Sequence, residues 1–333
     1  MADGHAGLTF GFRVESAAGE PLDALVLRLA PAGVTRKGNT DVYRQAPLLR
    51  ALHAAGLPVP PVRWAESGEE WFGVPFVMTA LLPGRTCIGW EPHASFLAPG
   101  VAAAVWRATA AALPGLHRFD WQTHLPDWAE PRPLRAEVEF WDPILARAPE
   151  PGWIAMGTTV REGLLASLPQ DAPVGLLHGD YQPGNALFDF TSSETRTSPE
   201  GGPPPEGGAS PDGGRLVAIL DWELAGIGGQ LLDIGWLQMM GDAESWHADY
   251  PPLNPVPVDE LAAIYEQGMG RRFPSIPWFR ALAGYRFGSI ACLNVKLHRR
   301  GQRVDPLWER MAPSIPSLFA RADQLLREWR ASG

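Results

Sequence analysis

The sequence has few cysteines and no long apolar run. Cys87 and Cys292 are the only two cysteines in 333 residues, too few for a disulfide framework and typical of a reducing compartment. No run of about 18 apolar residues occurs, which argues against a membrane-spanning helix. The first ten residues, MADGHAGLTF, lack the basic and apolar regions of a signal peptide. These absences predict a cytoplasmic protein without a membrane partner.

Positive charge is scarce and is supplied almost entirely by arginine. The 28 basic residues include only two lysines, Lys37 and Lys296, and the net charge is −9. An acidic chain of this kind disfavours nucleic acid as a partner. Residues 221–270 contain nine carboxylates and no lysine or arginine. This stretch indicates either solvated helix faces or a site for a cationic ligand.

Two segments carry a set of residues suited to phosphoryl transfer: HGDYQPGNALFDF at 178–190 and RLVAILDWE at 215–223. Their apolar runs predict a β-hairpin that brings Asn185 and Asp221 side by side. In phosphoryl transfer from ATP, one carboxylate orients the attacking hydroxyl, here Asp180. An amide oxygen and a second carboxylate hold Mg²⁺ against the phosphates, and both are hard oxygen ligands.

These segments resemble the aminoglycoside phosphotransferase and choline kinase-like family, whose fold is that of protein kinases. HGDYQPGN matches the HGDxxxxN catalytic loop of that family, and LDWE matches its metal-binding segment. The segment DWELAGIGGQLLDIGW most resembles a branch of this family whose kinase domains are fused to acyl-CoA dehydrogenases. The resemblance implies that ATP and Mg²⁺ are the cofactors, Asp180 is the catalytic residue, and Asn185 and Asp221 bind the metal. It further implies that Asp233 braces the catalytic loop, and we interpret His178 as a second structural support.

The expected nucleotide site departs from the family pattern. The position of the usual phosphate-gripping lysine holds Arg28, which is either its substitute or a surface strand residue. The position of its glutamate partner holds Gln45, at or before the start of a helix. Gly7 and Gly11 are candidates for phosphate contact, although they lack the spacing of a protein-kinase glycine loop. Three roles stay open for Glu223: contact with a second metal ion, contact with the acceptor, or capping of the following segment.

Residues 78–84, MTALLPG, resemble the hinge of the family, in which backbone groups of Met78 and Ala80 would bind adenine. The predicted fold class is α+β, a two-lobed protein-kinase-like fold. Residues 1–80 form a small β-rich nucleotide-binding lobe, and residues 81–333 form a mainly helical catalytic and acceptor-binding lobe. Residues 191–214 include eleven glycines or prolines and predict a disordered insertion.

The predicted function is transfer of the γ-phosphate of ATP to a hydroxyl of a small molecule. The alternatives are a nucleotide-binding pseudoenzyme with a regulatory role and a metal-dependent phosphohydrolase. The acceptor stays open between an aminoglycoside-like or other cationic compound and a hydroxyacyl compound. On a continuous helix Lys296, Arg300 and Arg303 would share a face, which is either solvated or suited to the phosphates of a CoA ester. The sequence does not indicate an oligomeric state.

Overall fold

The structure is a computed structural model that describes residues 7–89, 91–98, 100–190 and 214–332. The predicted insertion at 191–214 lies outside these residues, except for Gly214. The strands are β1 (Leu8–Glu15), β2 (Pro21–Leu29), β3 (Val62–Glu66), β4 (Phe76–Ala80), β5 (Arg85–Thr86), β6 (Val174–Leu177), β7 (Ala186–Asp189), β8 (Arg215–Ile219) and β9 (Gly226–Gly229).

The helices include long elements of the large lobe and short connecting ones. They are α1 (Gln45–Ala54), α2 (Val101–His117), α3 (Trp121–His124), α4 (Leu134–Glu139), α5 (Asp142–Leu145), α6 (Pro151–Ala166), α7 (Leu232–Gly241), α8 (Val258–Met269), α9 (Ile276–Arg299), α10 (Pro306–Met311) and α11 (Ser314–Ser332).

The small lobe is an antiparallel sheet with the strand order β1-β2-β4-β3. Leu27 lies opposite Met78, and Arg28 lies opposite Val77. Because side chains alternate between the two faces of a strand, Met78 and Arg28 lie on opposite faces of the sheet. Val77 packs with Ala46 of α1, so the helix covers the face on which Arg28 lies. The other face carries a separate apolar cluster that includes Leu27 and Met78.

Two small sheets position the catalytic segments of the large lobe. The predicted hairpin forms as β7 and β8, which pair antiparallel, and β5 adds to its edge. β6 and β9 form a second antiparallel pair. The chain between β6 and β7 therefore carries the 178–185 segment, and the chain between β8 and β9 carries Asp221 and Glu223. Both segments are held at strand ends, where backbone hydrogen bonds fix their position.

The helices of the large lobe surround α9, which packs against α7 and α11. Its first turn contains Pro277. Proline is tolerated there because a backbone N–H at this position would have no intrahelical partner. Gly301 follows the helix with φ of 65°, and this left-handed residue ends it. The prediction that Lys296, Arg300 and Arg303 share one helical face is therefore wrong, because Arg303 lies beyond this turn.

A small antiparallel sheet followed by a larger helical part is the predicted two-lobed α+β fold, which is confirmed. Strand β4 ends at Ala80, where the sequence predicts the boundary between the lobes. None of the described helices is long and apolar enough to cross a membrane.

Candidate active site

The carboxylate of Asp180 is held by two amide groups of its own loop. Asn185 Nδ2 donates to Asp180 Oδ2 at 2.8 Å, and Gln182 Nε2 donates to Asp180 Oδ1 at 2.9 Å. Burial and the charge of Asp221 raise the pKa of Asp180 above its ordinary value, whereas these hydrogen bonds oppose the rise. The contacts leave Asn185 Oδ1 as the oxygen that this amide can offer to a cation.

Asp233 anchors the start of the catalytic loop through its backbone. Its Oδ2 accepts from the N–H of His178 at 2.7 Å, and its Oδ1 accepts from the N–H of Gly179 at 2.8 Å. His117 Nε2 lies 3.2 Å from the same Oδ2. The Asp233 side chain has no exposed surface, so these charge-assisted hydrogen bonds are shielded from water and fix the loop firmly. The contacts agree with the bracing role that we predict for Asp233.

His178 connects the catalytic loop to the strand that precedes Asp221. Its Nε2 lies 2.7 Å from the carbonyl oxygen of Leu220, and its Nδ1 accepts from the N–H of Asp180 at 3.2 Å. Both ring nitrogens are therefore engaged with backbone groups. This geometry favours support of the loop over proton transfer for His178.

Gly179 is required by the backbone at this position. Its φ is 86°, in the left-handed region that favours glycine. A Cβ on Gly179 would also lie 2.3 Å from the carbonyl oxygen of Leu224. The loop can therefore approach the chain after Asp221 this closely only because residue 179 lacks a side chain.

Asp221 stands at the end of β8 in a strained conformation. Its φ and ψ are both 61°, and it is the only non-glycine with positive φ among the described residues. The preceding Leu220 donates its N–H to the carbonyl oxygen of Asn185 at 2.7 Å, which holds the two predicted metal ligands at adjacent strand ends. Left-handed backbone at a non-glycine residue costs about 1–2 kcal/mol, and such strain is typical of functional sites.

Arg28 reaches from β2 to the segment after β8. Its guanidinium donates to Asp221 Oδ1 at 2.9 Å and to Glu223 Oε2 at 3.1 Å. The alternative that Arg28 is a surface strand residue is wrong, since its side chain is only 21% exposed and is paired with two carboxylates. Burial, followed by the charge of Asp221, raises the pKa of Glu223 to about 7, and Arg28 opposes the rise.

Gln45 is not among the hydrogen-bond partners of Arg28 in the described part of the chain. It is the first residue of α1, as predicted from Pro47, and its side chain is buried without a hydrogen-bond partner for Nε2 in the described part of the chain. The carboxylates Asp221 and Glu223 therefore supply the contacts to Arg28 that the family pattern assigns to a helix glutamate.

The two predicted glycines differ in their surroundings. A Cβ on Gly7 would lie 2.1 Å from the carbonyl oxygen of Leu29, so close packing within the sheet explains this glycine. Gly11 pairs with Val26 in the middle of β1, and nothing lies within 4 Å of where its Cβ would be. Contact of either residue with phosphate stays a prediction, and only Gly11 has open space for it.

The backbone of β4 leaves little for adenine at the predicted positions. Met78 lies in a central strand, paired with Leu27 on one side and Trp64 on the other, which commits its backbone groups to the sheet. The N–H of Ala80 donates to the carbonyl oxygen of Pro61 at 3.0 Å. The Met78 backbone and the Ala80 N–H are thus already engaged, and contact of Met78 and Ala80 with adenine stays a prediction.

A cavity of about 1400 Å³ is lined by the predicted catalytic and metal-binding residues. Asp180, Asn185, Asp221 and Glu223 all line it. Its wall away from these residues has an apolar and aromatic part beside charged side chains such as Arg132 and Glu137. The residues of that wall include Phe140, Trp141, Ile144, Trp236, Leu282, Phe287, Ile290, Leu293, Trp308 and Met311.

The acidic stretch 221–270 does not form this wall. Of its nine carboxylates, only Asp221 and Glu223 line the cavity. Asp242 instead pairs with Arg280 and Arg321 in a buried cluster. The interpretation of this stretch as a site for a cationic ligand is therefore wrong, because most of its carboxylates lie outside the cavity.

The donor set fits Mg²⁺, which is bound by hard oxygens and usually keeps several waters beside one or two carboxylates and substrate phosphates. Asp221 offers a carboxylate that is 38% exposed, and Asn185 offers its amide oxygen. No group of three or more His, Cys, Asp or Glu residues suited to a metal occurs among the described residues. The site is thus one of few protein ligands, open to phosphate oxygens.

Sequence reasoning missed Gln182, Arg286 and Trp236. Gln182 lies inside the HGDYQPGN segment and supports Asp180, a contact that the segment itself could have suggested. Arg286 interrupts a long apolar helix and lines the cavity with a side chain only 4% exposed. Arg280 and Arg286 both stand in this helix and both signal buried polar contacts, but the sequence does not reveal that, of the two, Arg286 lines the cavity.

Comparisons with known proteins bear on the family and the fold of this chain. A model of the phosphotransferase enzyme family matches residues 5–197. A probable acyl-CoA dehydrogenase from Arabidopsis thaliana is 25% identical over 309 residues, which cover 86% of this chain and 35% of that protein. Acyl-CoA dehydrogenase family member 11 from Homo sapiens is 25% identical over 285 residues, which cover 80% of this chain and 32% of that protein. The chain thus spans about a third of the length of these relatives.

Solved structures share the fold at low identity. A putative aminoglycoside phosphotransferase from Ralstonia eutropha superposes with a TM-score of 0.67 at 20% identity, covering 97% of this chain and 94% of that one. Amicoumacin kinase in complex with AMP-PNP, Ca²⁺ and Ami superposes with a TM-score of 0.60 at 13% identity, covering 97% and 87%. At these identities the likeness is one of fold.

Proposed function

This chain belongs to the phosphotransferase enzyme family, and from that premise we propose that it transfers the γ-phosphate of ATP to a hydroxyl of a small molecule in a Mg²⁺-dependent reaction. One observation carries the proposal. Asp180, Asn185 and Asp221 line a single cavity, and the loop that bears Asp180 is held by buried hydrogen bonds to Asp233. A fixed base beside two oxygen ligands is what positional catalysis of phosphoryl transfer requires.

Asp180 accepts the proton of the attacking hydroxyl and orients its oxygen toward the phosphorus. Two amide donors restrict the rotation of its carboxylate, so little reorganisation is needed when the hydroxyl arrives. Asp221 and the amide oxygen of Asn185 hold Mg²⁺. When bound, this ion neutralises charge on the phosphate oxygens.

Arg28 contributes a second positive charge to the phosphate site. In the structure its guanidinium lies between Asp221 and Glu223. A planar guanidinium has five donors, so it can keep one carboxylate contact and still bind a phosphate oxygen. In this arrangement Arg28 fills the role of the usual lysine without a glutamate from α1.

The acceptor that we propose has an apolar body. Part of the cavity wall beyond the catalytic residues is aromatic and aliphatic, and this part suits the body of a hydroxyacyl compound better than an aminoglycoside-like polycation. The curated relatives are named acyl-CoA dehydrogenases, and their names agree with an acyl acceptor. Exclusion of water by such a wall also limits transfer of the phosphoryl group to water.

A nucleotide-binding pseudoenzyme is the second candidate, favoured by the buried Gln45 that makes no contact with Arg28. A screen of hydroxyl compounds for acceptor-dependent ADP release separates the two. The library contains hydroxyacyl compounds, aminoglycosides and choline, each with ATP and Mg²⁺, and a parallel set without Mg²⁺. The proposal expects release with at least one acceptor only when Mg²⁺ is present. Tight nucleotide binding without release for any acceptor would favour the pseudoenzyme.

A further inference from the structure

Two buried N–H donors on one part of the cavity wall lack partners. Arg286 Nε and Trp236 Nε1 have no hydrogen-bond acceptor within the described ranges. Arg286 is 4% exposed and Trp236 is 2% exposed, and both residues line the cavity. The guanidinium carbon of Arg286 lies 5.3 Å from the centre of the Trp236 ring. A buried donor without an acceptor is unfavourable, so two together indicate a place for an oxygen acceptor.

Arg286 shares its paired carboxylate with a second arginine. Arg286 lies 3.5 Å from Glu137 Oε1, which is longer than a strong charge-assisted hydrogen bond. Glu137 also pairs with Arg132, at 2.7 Å. Two guanidinium groups thus share one carboxylate. Burial lowers the pKa of Arg286, whereas the charges of Glu137 and Asp180 oppose the shift, so further negative charge would stabilise the cation.

The surroundings of Arg286 are aromatic and keep its position fixed. Its guanidinium carbon lies 4.9 Å from the centre of the Trp141 ring, and Trp141 Nε1 donates to Glu137 at 3.2 Å. The Trp236 ring is a second aromatic neighbour of the guanidinium. Cation–π contacts of this kind position a guanidinium without consuming its N–H donors. Arg286 is therefore oriented but not fully hydrogen-bonded.

Building on the proposed function, we infer that Arg286 and Trp236 bind an anionic oxygen of the acceptor, of the carboxylate type. The acceptor then has three parts: a hydroxyl at Asp180, an apolar body along the aromatic wall, and a negatively charged oxygen at Arg286. A polycationic acceptor would place positive charge against the Arg286 guanidinium and is expected to bind less tightly. The pair thus determines specificity, and it is separate from the groups that touch the phosphate.

The test measures binding of three amphiphiles that share one alkyl chain: octanoate, octan-1-ol and octyltrimethylammonium. Each displaces the neutral dye N-phenyl-1-naphthylamine from the protein without nucleotide. Wild type is expected to bind octanoate about tenfold more tightly than the other two, as the smallest gain from a hydrogen bond to a charged group implies. Arg286→Met should reduce that preference to less than about twofold while leaving octan-1-ol unchanged, and Trp236→Phe, which loses only the indole N–H, should reduce it partly.

Arg321→Met is the matched control, because it removes a largely buried guanidinium that pairs with Asp242 and Glu244 outside this wall. It should keep the octanoate preference. Equal binding of the three amphiphiles by wild type, tighter binding of the cation, or an unchanged preference in Arg286→Met would overturn the inference. If Arg286→Met does not fold, wild type and Trp236→Phe decide.

This binding test is independent of phosphoryl transfer. A clear octanoate preference in a protein that transfers no phosphate would contradict only the proposed function. Transfer to cationic acceptors, with no octanoate preference, would contradict only the inference about Arg286 and Trp236.

Discussion

The guanidinium of Arg28 lies 2.9 Å from Asp221 Oδ1, a contact between residues 193 positions apart in the sequence. Arg28 belongs to the small lobe, and Asp221 follows the hairpin of the large lobe. Their ion pair therefore joins the two lobes at the carboxylate that we propose as a metal ligand. Because Glu223 accepts from the same guanidinium, Arg28 also lowers the repulsion between two neighbouring carboxylates.

Loss of Arg28 is expected to impair both nucleotide binding and turnover. Arg28→Ala should raise KM for ATP, lower kcat, and reduce kcat/KM by about 10- to 100-fold, the range of a hydrogen bond to a charged group. Arg28→Lys should be partly active, since an ammonium keeps the charge but not the planar fork. Gln45→Ala is the control and should leave ATP kinetics nearly unchanged. Unaltered ATP kinetics in Arg28→Ala would remove Arg28 from the phosphate site.

Loss of Asp180 is expected to affect the chemical step and not nucleotide binding. Asp180→Ala and Asp180→Asn should lower kcat by at least about 10²–10⁴, the contribution of a positioned general base. The affinity for a non-hydrolysable ATP analogue, measured by calorimetry, should change little. Gln182→Leu removes one of the two amide donors to the carboxylate and should give a smaller loss. Near-full turnover in Asp180→Asn would show that the assigned base is wrong.

The two proposed metal ligands are expected to contribute unequally to Mg²⁺ binding. Asp221→Ala should weaken the Mg²⁺ dependence of nucleotide binding more than Asn185→Ala does, because Asp221 supplies formal charge and Asn185 a neutral oxygen. Titration of Mg²⁺ in the presence of the non-hydrolysable analogue measures the effect. Identical Mg²⁺ affinities in both variants and in wild type would contradict the assignment of these ligands.

Two glycines with left-handed backbone conformation can be compared to measure how strongly close packing constrains the catalytic loop. Gly301→Ala should cost only the conformational penalty of about 1–2 kcal/mol, since nothing lies within 4 Å of its Cβ position. Gly179→Ala should cost more, because its Cβ would meet the Leu224 carbonyl. Urea unfolding compares the two free energies of unfolding. Equal losses would show that contact with Leu224 does not constrain the loop.

The sequence predicted the structure best where residues close together along the chain determine the local geometry. Asn185 and Asp221 stand at the ends of two apolar runs, so the hairpin and its two polar ends followed from the alternation of strands and turns. Gln45 at the start of α1 followed in the same way from Pro47, which a helix tolerates only in its first turn.

The features that the sequence did not predict depend on contacts between distant elements. Whether Arg28 faces its carboxylates depends on how β2 lies over the segment after β8, which no local pattern encodes. The nine carboxylates of 221–270 allowed an acidic site as one interpretation, but Asp242 instead forms buried ion pairs with Arg280 and Arg321 on other helices. Arg286 and Trp236 meet on a cavity wall only because α7 and α9 pack together.

The most direct test follows the labelled γ-phosphate of ATP in the presence of Mg²⁺ and of an acceptor that promotes ADP release. We predict that the label appears as a phosphate ester on the hydroxyl of the acceptor in wild type. In Asp180→Ala the ester should be absent although nucleotide still binds. Label recovered only as inorganic phosphate, or ester formed equally by Asp180→Ala, would contradict the account.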